Sequence, residues 1–501
     1  MRRLSSRSKY RILEMIPGVL VWTTFILAVT LSFLKPLWVV YFIIIFDLYW
    51  LLRVCYFVFY MILAWRSYSR EVKRDWFDDL QREYPRWREM YHLIFLPTYR
   101  EDLSIIESTI QRLSEVKYDP RRFIIILAGE ERDRQNFLKN AAAITERYRH
   151  YFHDIIITLH PADLPDEIPG KGSNLNWSGH RVREYVDKAG LPYQNFIVSS
   201  FDIDTLVHPQ YFACLTYKYL SHPNPTHTSY QPAVLYNNNI WQAPAITRIA
   251  AFGTTFWLMT ELARPERLFT FSSHSMSWQA LVDVNFWEKQ IVTEDSRIFL
   301  QCLLRYDGDY TVTPMYVPVS MDMVTSTSYI GSLVSLYKQQ RRWAWGIEHL
   351  PYMLWNFSKN SKIKFRKKLY YIWNLSEGMY SWATTPIMIF VLGRLPLYVA
   401  PTHLREQALF QNAPFVLETL LQLSMIGIFI SVLMSLKLLP PRPDSIKPHA
   451  YLTMVLQWLL LPITIGVFGS LPATEAQTRL MLGWYLGFNV TEKARSEPVA
   501  L

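Results

Sequence analysis

The sequence predicts an α/β domain inserted between α-helical transmembrane segments. Half of the 501 residues are hydrophobic and only 19% are charged, and the longest apolar runs lie near the two ends of the chain. Between these runs, residues 66 to about 370 contain no convincing membrane span. Short β-rich apolar runs alternate there with helical stretches, which is typical of a parallel sheet covered by helices.

The cysteine content excludes several classes of protein, whereas the net charge excludes little. The 52 lysine and arginine residues exceed the 42 acidic residues, so the net charge is +10. That excess is compatible with nucleic acid, anionic lipid or nucleotide phosphates as partners. The three cysteines, Cys55, Cys214 and Cys302, are far apart in the chain. This spacing excludes a disulfide-stapled scaffold and a zinc ribbon.

Five apolar runs are long enough to cross a bilayer. They are Ile16–Leu34, Pro36–Trp65, Gly378–Ala400, Pro414–Met434 and Ala450–Leu471. Basic residues precede the first run: Arg2, Arg3, Arg7, Lys9 and Arg11. By the positive-inside rule they place the N-terminus in the cytoplasm, so two spans return the inserted domain to the cytoplasm. An odd number of later spans then leaves the C-terminal tail outside.

We divide the chain accordingly. Residues 1–65 form an anchor of two transmembrane helices, 66–90 an interfacial helix or linker, and 91–350 the cytoplasmic domain. Residues 351–377 form a basic interfacial segment, 378–472 about three transmembrane helices, and 473–501 the tail. The segment after the second span mixes aromatic residues such as Trp76 and Trp87 with many charges, as a helix lying along lipid headgroups would. A solvated linker helix is the alternative.

Four runs in the inserted domain are predicted to be buried strands. They are His92–Thr98, Arg122–Ala128, Asp154–Leu159 and Phe196–Ser200, and helical patterns such as Leu103–Val116 lie between them. In parallel α/β sheets, ligands bind beyond the carboxyl ends of the strands. We therefore expect the chemistry in the segments that follow, which are rich in carboxylates and glycine.

Asp202 and Asp204 follow the fourth strand. In extended chain, residues i and i+2 point to the same side, so both carboxylates can face one divalent cation. Lys171, in the segment GKGSNLN, can neutralise a phosphate. The alternatives are an acidic turn and a solvated loop. The sequence contains neither a Walker motif nor GxGxxG, which argues against a P-loop ATPase and a dinucleotide-binding protein.

Two further motifs follow. Glu294 and Asp295 come after an aromatic stretch, where a shielded carboxylate can have its pKa tuned to act as a base. The alternative is a helix N-cap, with Thr293 followed by acids. Gln339 and Arg342 lie three residues apart on one helical face in the pattern QxxRW. Arg342 can bind phosphate oxygens and Trp343 can face a sugar ring, although a basic and aromatic girdle at the membrane fits equally well.

The ordered set resembles the family-2 membrane glycosyltransferases, the group that contains cellulose, hyaluronan and chitin synthases. Its parts are acid-rich strand ends, a KGxNLN-type turn, DxD, TED and QxxRW. The resemblance covers about residues 88–350 together with the spans on both sides. It implies a GT-A (Rossmann-like) fold and an inverting transferase that uses a nucleotide sugar with Mg²⁺ or Mn²⁺.

The resemblance also implies a role for each matching residue. Pro97, Thr98, Tyr99, Glu101 and Glu130 would line the base and ribose. Lys171 would contact the diphosphate, Asp202 and Asp204 would hold the nucleotide and the metal, and Gln339 and Arg342 would brace the diphosphate. Asp295 would be the general base beside Glu294, and Trp343 would lie beneath the acceptor sugar.

One departure from the family pattern concerns the nucleotide. The family usually has two aspartates after the second strand, whereas this chain has Glu130 and Glu131. The base stays open, with a UDP-sugar favoured and no nucleic acid expected as a partner.

We expect a multi-pass protein of the plasma or inner membrane that acts in polysaccharide synthesis and can export its product. A non-processive transferase to a lipid-linked acceptor is the alternative, and only about five spans favour it. A transporter with a cytoplasmic regulatory domain explains neither the motifs nor their order.

Overall fold

A computed structural model describes residues 5–487 of the chain. Arg2, Arg3 and residues 488–501 of the predicted tail lie outside the described residues. The helices are α1 (Ser6–Leu34), α2 (Pro36–Glu71), α3 (Trp76–Glu83), α4 (Leu103–Ser114), α5 (Arg134–Tyr148), α6 (Lys171–Ala189), α7 (Tyr211–Ser221), α8 (Ala245–Leu262), α9 (Trp278–Asp283), α10 (Glu294–Arg305), α11 (Tyr329–Ala344), α12 (His349–Lys359), α13 (Phe365–Phe390), α14 (Leu395–Val399), α15 (Thr402–Arg405), α16 (Ala408–Lys437), α17 (Ala450–Leu456), α18 (Leu461–Ile465) and α19 (Leu471–Leu482).

The predicted apolar runs are all helical. In the part of the chain that the structure describes, four continuous helical stretches are long and apolar enough to cross a membrane: α1, α2, α16 and Ala450–Leu482, the last of which contains α17 to α19. The pair α13 and α14 is bent by 45° at a short break and meets the same criteria as one broken span. Two helical stretches extend beyond the predicted ends of the spans, to Glu71 and to Leu482. The composition is that of a membrane protein, as predicted.

The inserted domain is built on one mixed sheet of eight strands. The strands are β1 (Tyr91–Thr98), β2 (Phe123–Glu130), β3 (Asp154–His160), β4 (Phe196–Ser200), β5 (Leu206–Val207), β6 (Thr228–Tyr236), β7 (Ser275–Ser277) and β8 (Thr311–Met321). Their order across the sheet is β3-β2-β1-β4-β7-β6-β8-β5. The four predicted strands are confirmed to within two residues, and the domain belongs to the predicted α/β class.

The expectation of an all-parallel sheet is wrong at two strands. β7 runs antiparallel to both β4 and β6, and the two-residue β5 runs antiparallel to β8. Sequence analysis also missed β6 and β8. Both strands contain prolines, at Pro232 in β6 and at Pro314 and Pro318 in β8, and a register shift follows Pro232. Proline weakens the pattern by which a strand is recognised.

Alternating side chains of the central strands pack against helices on both faces. In β1, Leu93 and Phe95 join one core, which includes residues of α6 and α8. Ile94 and Leu96 point the other way, into a core with residues of α4, α5 and α7. Because β1 to β4 are parallel neighbours, their carboxyl ends meet at one edge of the sheet.

The segment 66–90 contributes to the domain core rather than presenting its aromatic side chains to headgroups. Trp76, Leu80 and Trp87 are buried, and the Trp76 ring packs edge-on against Tyr217 of α7 at a centroid distance of 5.3 Å. These aromatic residues therefore form the face of the segment that packs on the domain. The position of its charged face, at headgroups or in solvent, stays a prediction.

Gly129 near the end of β2 offers a test of this packing. A Cβ at this position would lie 2.2 Å from Cδ1 of Phe137 in α5, so Gly129→Ala forces the helix or the ring to move. We expect a loss of about 1–3 kcal/mol in stability, measured as a lower thermal unfolding temperature in detergent.

Gly253→Ala is the matched control, because nothing lies within 4 Å of its Cβ position in α8. It should leave the unfolding temperature unchanged or slightly raised, since alanine favours helix. Equal unfolding temperatures for the two variants would contradict the packing described here.

Candidate active site

A buried lysine joins two of the motifs that are far apart in the sequence. Lys171 begins α6, and its Nζ lies 2.6 Å from Oδ1 of Asp202 and 3.4 Å from Oε1 of Glu294. Burial alone would lower the pKa of Lys171, but the carboxylates of Asp202, Glu294 and Asp295 raise it above its ordinary value. The lysine is therefore a permanent cation beside three acids.

Gly172 allows this arrangement by bringing the start of α6 close to the segment before α10. A Cβ on Gly172 would lie 2.9 Å from the carbonyl oxygen of Glu288 and 3.3 Å from Cβ of Glu294. A larger residue would push α6 away from α10 and separate Lys171 from Glu294. Gly172 therefore permits the close approach of α6 to the segment before α10.

Glu294 and Asp295 occupy the first turn of α10 and differ in exposure. Glu294 is buried, and this burial raises its pKa to about 7 against the opposing effect of Lys171. Asp295 is partly exposed. Burial and the charge of Asp202 raise its pKa, while Lys171 and Arg342 lower it. Its Oδ1 accepts a 2.8 Å hydrogen bond from the amide of Ser296, which orients the carboxylate.

Thr293 does not cap α10 with its side chain. Its hydroxyl instead donates to Oε1 of Glu348 at 2.8 Å. Thr293 therefore does not make the side-chain hydrogen bond that the helix-cap interpretation requires. The two acids still lie at the positive end of the helix dipole, which favours their ionised forms.

Asp202 and Asp204 lie in a turn rather than in extended chain, as the 2.9 Å hydrogen bond from the Thr205 amide to the Asp202 carbonyl shows. The side chain of Asp202 is 28% exposed. Asp204 is fully buried, and its Oδ2 accepts the amide of Asp322 at 2.8 Å. We expected both carboxylates on one side because the chain would be extended. The chain is not extended here, so that reason is wrong.

This arrangement limits how a cation can bind. Within residues 5–487, no group of three or more His, Cys, Asp or Glu side chains could hold a metal ion. Mg²⁺ commonly takes one or two protein carboxylates and completes its shell with phosphate oxygens and water. The accessible carboxylate of Asp202 fits a cation of that kind, one that shares its ligands with a bound diphosphate.

The residues predicted to bind the base lie at the ends of β1 and β2. Thr98 is buried, and its hydroxyl donates to the Leu96 carbonyl at 3.2 Å. The Glu101 carboxylate accepts the Tyr99 amide. The guanidinium of Arg100 lies 5.0 Å from the centroid of the Tyr99 ring, and that of Arg132 lies 4.8 Å from it.

Glu130 belongs to a buried charged cluster that sequence analysis missed. Its Oε2 lies 3.2 Å from Arg132 and 3.2 Å from Nδ1 of His160, whose Nε2 lies 2.8 Å from Glu167. Burial works against a charged His160, but Glu130 and Glu167 raise its pKa. His160 and Glu167 stand alone in the sequence, so only the adjacency of β2 and β3 brings them to Glu130.

The QxxRW segment ends α11, and its side chains line a narrow cleft beside β6 and α8. Gln339 is buried, and the Trp343 ring lies 5.9 Å from the ring of Tyr236. Tyr236, Gln339 and Trp343 line a cavity of about 10 Å³, room for about one water molecule. The charge of Arg342 lowers the pKa of both Glu294 and Asp295, so this arginine lies close to the acids.

The structure thus brings together Lys171, Asp202, Glu294, Asp295 and Arg342. Two residues outside the predicted donor and base motifs complete the group. Ser272 donates to Oδ2 of Asp202 at 2.8 Å, and Tyr236 has its pKa raised by burial and by three nearby aspartates, Asp202, Asp295 and Asp204.

The histidine nearest this group has a structural role. His274 is buried, its Nδ1 lies 2.9 Å from the Phe271 carbonyl, and burial lowers its pKa to about 4. It is therefore neutral and donates to the backbone.

Comparisons with known proteins identify the family. A probable glycosyltransferase of Sulfolobus acidocaldarius is 22% identical over 358 residues, which are 69% of this chain and 66% of that protein. Among solved structures, a mannosyltransferase from Pyrobaculum calidifontis in complex with GDP-Man and Mn²⁺ is 13% identical with a TM-score of 0.42, over 78% of this chain and 99% of that one. TarS residues 1–349 from S. aureus are 10% identical with a TM-score of 0.35, over 82% of this chain and 98% of that one.

The family profile described as "Glycosyl transferase family group 2" matches residues 197–470, more than half of the chain. The matched stretch includes Asp202, Glu294, Asp295 and the QxxRW segment. The chain therefore belongs to the glycosyl transferase family group 2.

Proposed function

We propose that this glycosyltransferase moves a sugar from a nucleotide diphosphate sugar to a glycan acceptor at a membrane, with inversion at the anomeric carbon. The observation that carries the proposal is the contact of Lys171 with the carboxylates of Asp202 and Glu294. The reaction needs a counter-charge for a diphosphate and a proton acceptor. Lys171 supplies the counter-charge, and the partly exposed Asp295, next to Glu294 in the chain, supplies the proton acceptor.

The donor is assigned to the edge of the sheet where β1, β2 and β4 end. Lys171, Gln339 and Arg342 would hold the diphosphate, because two cations and an amide suit phosphate oxygens. Thr98, Tyr99, Glu101 and Glu130 would contact the base and ribose, and we favour a UDP-sugar. Tyr99 offers its ring, and Glu130 is held in place by Arg132 and His160.

Asp295 is assigned as the general base. It takes the proton of an acceptor hydroxyl, whose oxygen forms a bond to the anomeric carbon as the bond from that carbon to the diphosphate oxygen breaks. The nucleoside diphosphate leaves with its electron pair and is stabilised by Lys171 and Arg342. Glu294 helps to hold Lys171 in position through its 3.4 Å contact with Nζ. Because attack and departure occur on opposite faces, the configuration inverts.

A divalent cation, Mg²⁺ or Mn²⁺, would be held by Asp202 together with the donor diphosphate. When bound, it supplies additional positive charge to the leaving group. Ser272 orients the Asp202 carboxylate through Oδ2. Asp204 supports the turn through the Asp322 amide and lies behind it.

The acceptor is assigned to the Trp343 side of α11, because an aromatic face suits a sugar ring. The cavity between Trp343 and Tyr236 has room for about one water molecule, so the acceptor sugar would bind outside it. We propose a growing polysaccharide as the acceptor, with export of the product through the apolar helices. A lipid-linked acceptor that receives a single sugar is the second candidate, favoured because only four or five helices within residues 5–487 are apolar enough to span a membrane.

A donor screen tests the proposal directly. Purified protein in detergent is incubated with single UDP- and GDP-sugars, Mn²⁺ and a mixture of membrane lipids and oligosaccharides, and the released nucleoside diphosphate is measured. We expect release from one nucleotide class well above the rest. The absence of release from every donor, with protein that binds none of the nucleotides, would contradict the proposal.

Asp295→Asn separates the base from the donor site. The change removes the proton acceptor but preserves shape, so sugar transfer should fall about 10²–10⁴-fold, while calorimetry should show nucleoside diphosphate affinity close to that of the wild type. Asp78→Asn, at a carboxylate that is 70% exposed on α3, is the matched control and should change neither quantity. A near wild-type rate for Asp295→Asn would overturn the assignment.

The pH dependence of transfer follows from the same carboxylate. The active form of Asp295 is ionised and its pKa is raised from its ordinary value of 3.8, so the rate should fall as the pH drops through this raised pKa. Lys171 lowers the pKa of Asp295. In Lys171→Met this pKa should therefore rise, and the residual activity should begin to fall at a higher pH than in the wild type. Rate profiles from pH 4 to 9 measure both, and an acid limb that does not move would contradict the contact.

Metal removal tests the role of Asp202. Excess chelator should abolish transfer and added Mn²⁺ should restore it. Asp202→Asn should raise the Mn²⁺ concentration needed for half-maximal activity by about tenfold or more, as changes near metal ligands typically do. Full activity in chelator would show that the reaction proceeds without a divalent cation.

A further inference from the structure

The last apolar stretch, Ala450–Leu482, has both of its ends on the inserted domain. Near its start, the Tyr451 ring packs edge-on against Trp241 at 5.3 Å, and Trp458 stacks on Phe256 of α8 at 6.2 Å. Near its end, Glu475 accepts hydrogen bonds from Arg341 and Tyr337 of α11 at 2.6 and 2.9 Å. All four partners belong to the domain.

The start of α1 lies on the same side of the helical bundle as the inserted domain. Tyr10 packs against Trp355 of α12 at 5.8 Å, so the first turns of α1 adjoin the domain. Arg11 donates to the carbonyl of Leu480 at 2.7 Å, and Tyr485 donates to Glu14 at 2.8 Å. The end of the stretch therefore returns to the side from which α1 departs.

The opposite side of the helical bundle is marked by a separate apolar cluster. Val40 of α2, Ala400, and Phe410 and Ala413 of α16 pack together there. These residues lie close to the turn between α1 and α2 and to the connection between α14 and α16. Among the described residues, the cluster includes none from Ala450–Leu482.

A stripe of exposed apolar side chains runs along this stretch. Its members recur at helical spacing: Leu452, Val455, Leu456, Leu459, Ile463, Val467 and Leu471. Residues on the opposite face, including Met454, Trp458 and Ala476, are buried against the protein. One buried and one apolar exposed face is what a helix needs to lie in the boundary layer of a bilayer.

Length agrees with this orientation. A helix of 33 residues spans about 50 Å, whereas the hydrocarbon core is about 30 Å thick. A crossing helix of that length would carry its two ends to opposite sides. Here both ends contact one domain.

We infer that Ala450–Leu482 lies along the membrane surface beneath the inserted domain and does not cross the bilayer. The partner of its exposed stripe is the boundary between headgroups and acyl chains, continuous with the lipid around α1, α2, α13 and α16. The chain then crosses four times. Residue 487 lies on the domain side, opposite to the side that five spans require.

Depth measurements test the inference. Spin labels are placed at Leu452, Leu459 and Val467 of the purified protein in lipid vesicles, and their depth is read from oxygen and nickel-chelate accessibility. We expect three similar, shallow depths. A crossing helix would instead give a gradient of about 22 Å over these 15 residues at 1.5 Å per residue.

The matched control is the crossing helix α16, labelled at the exposed positions Phe415, Leu423 and Phe429. These 14 residues should show a gradient of about 21 Å. A similar gradient along Ala450–Leu482 would overturn the inference.

Labelling from one side gives an independent answer. Three single-cysteine variants are made in a Cys55→Ser background: Trp484→Cys, Asp78→Cys on the domain side, and Gln407→Cys on the opposite side. Sealed vesicles that contain each variant are treated with a membrane-impermeant maleimide. Trp484→Cys should react together with Asp78→Cys and not with Gln407→Cys. Reaction together with Gln407→Cys would show that the last helix crosses.

Discussion

The site depends on one buried cation. Lys171 opens α6 and meets acids that come from two other parts of the fold, Asp202 after β4 and Glu294 at the start of α10. Three carboxylates this close would repel one another, and the ammonium group offsets that repulsion without leaving the interior. Gly172 permits the close approach on which the contact depends. Donor binding, the ionisation of Asp295 and the position of α10 are therefore linked through a single side chain.

Much of the fold could be predicted from the sequence because its signals are local. The strands β1 to β4 are short, apolar and bounded by helical patterns, and the apolar helices exceed the length that a bilayer requires. The acids and the lysine follow strand ends, where an α/β sheet concentrates its chemistry. That Asp202, Glu294 and Lys171 lie close together was expected only from the order of the motifs. The structure gives the distances between these side chains.

The remaining features depend on contacts between distant segments. Ser272 and His160 carry no pattern of their own and acquire partners only when β7 meets β4 and when β3 meets β2. Asp202 and Asp204 form a turn, because the hydrogen bond from Thr205 to Asp202 replaces extended chain. The hydropathy of Ala450–Leu482 is that of a span, and only its contacts with Trp241, Phe256 and Arg341 indicate a surface position.

Nucleoside diphosphate binding to Lys171→Met measures the central claim most directly, with Lys139→Met on the outer surface of α5 as the control. In protein that keeps the wild-type unfolding temperature, the account predicts that Lys171→Met weakens binding at least about tenfold, about 1.4 kcal/mol, by calorimetry, and that Lys139→Met leaves it unchanged. Equal affinities for wild type and Lys171→Met would contradict the placement of the diphosphate at this lysine.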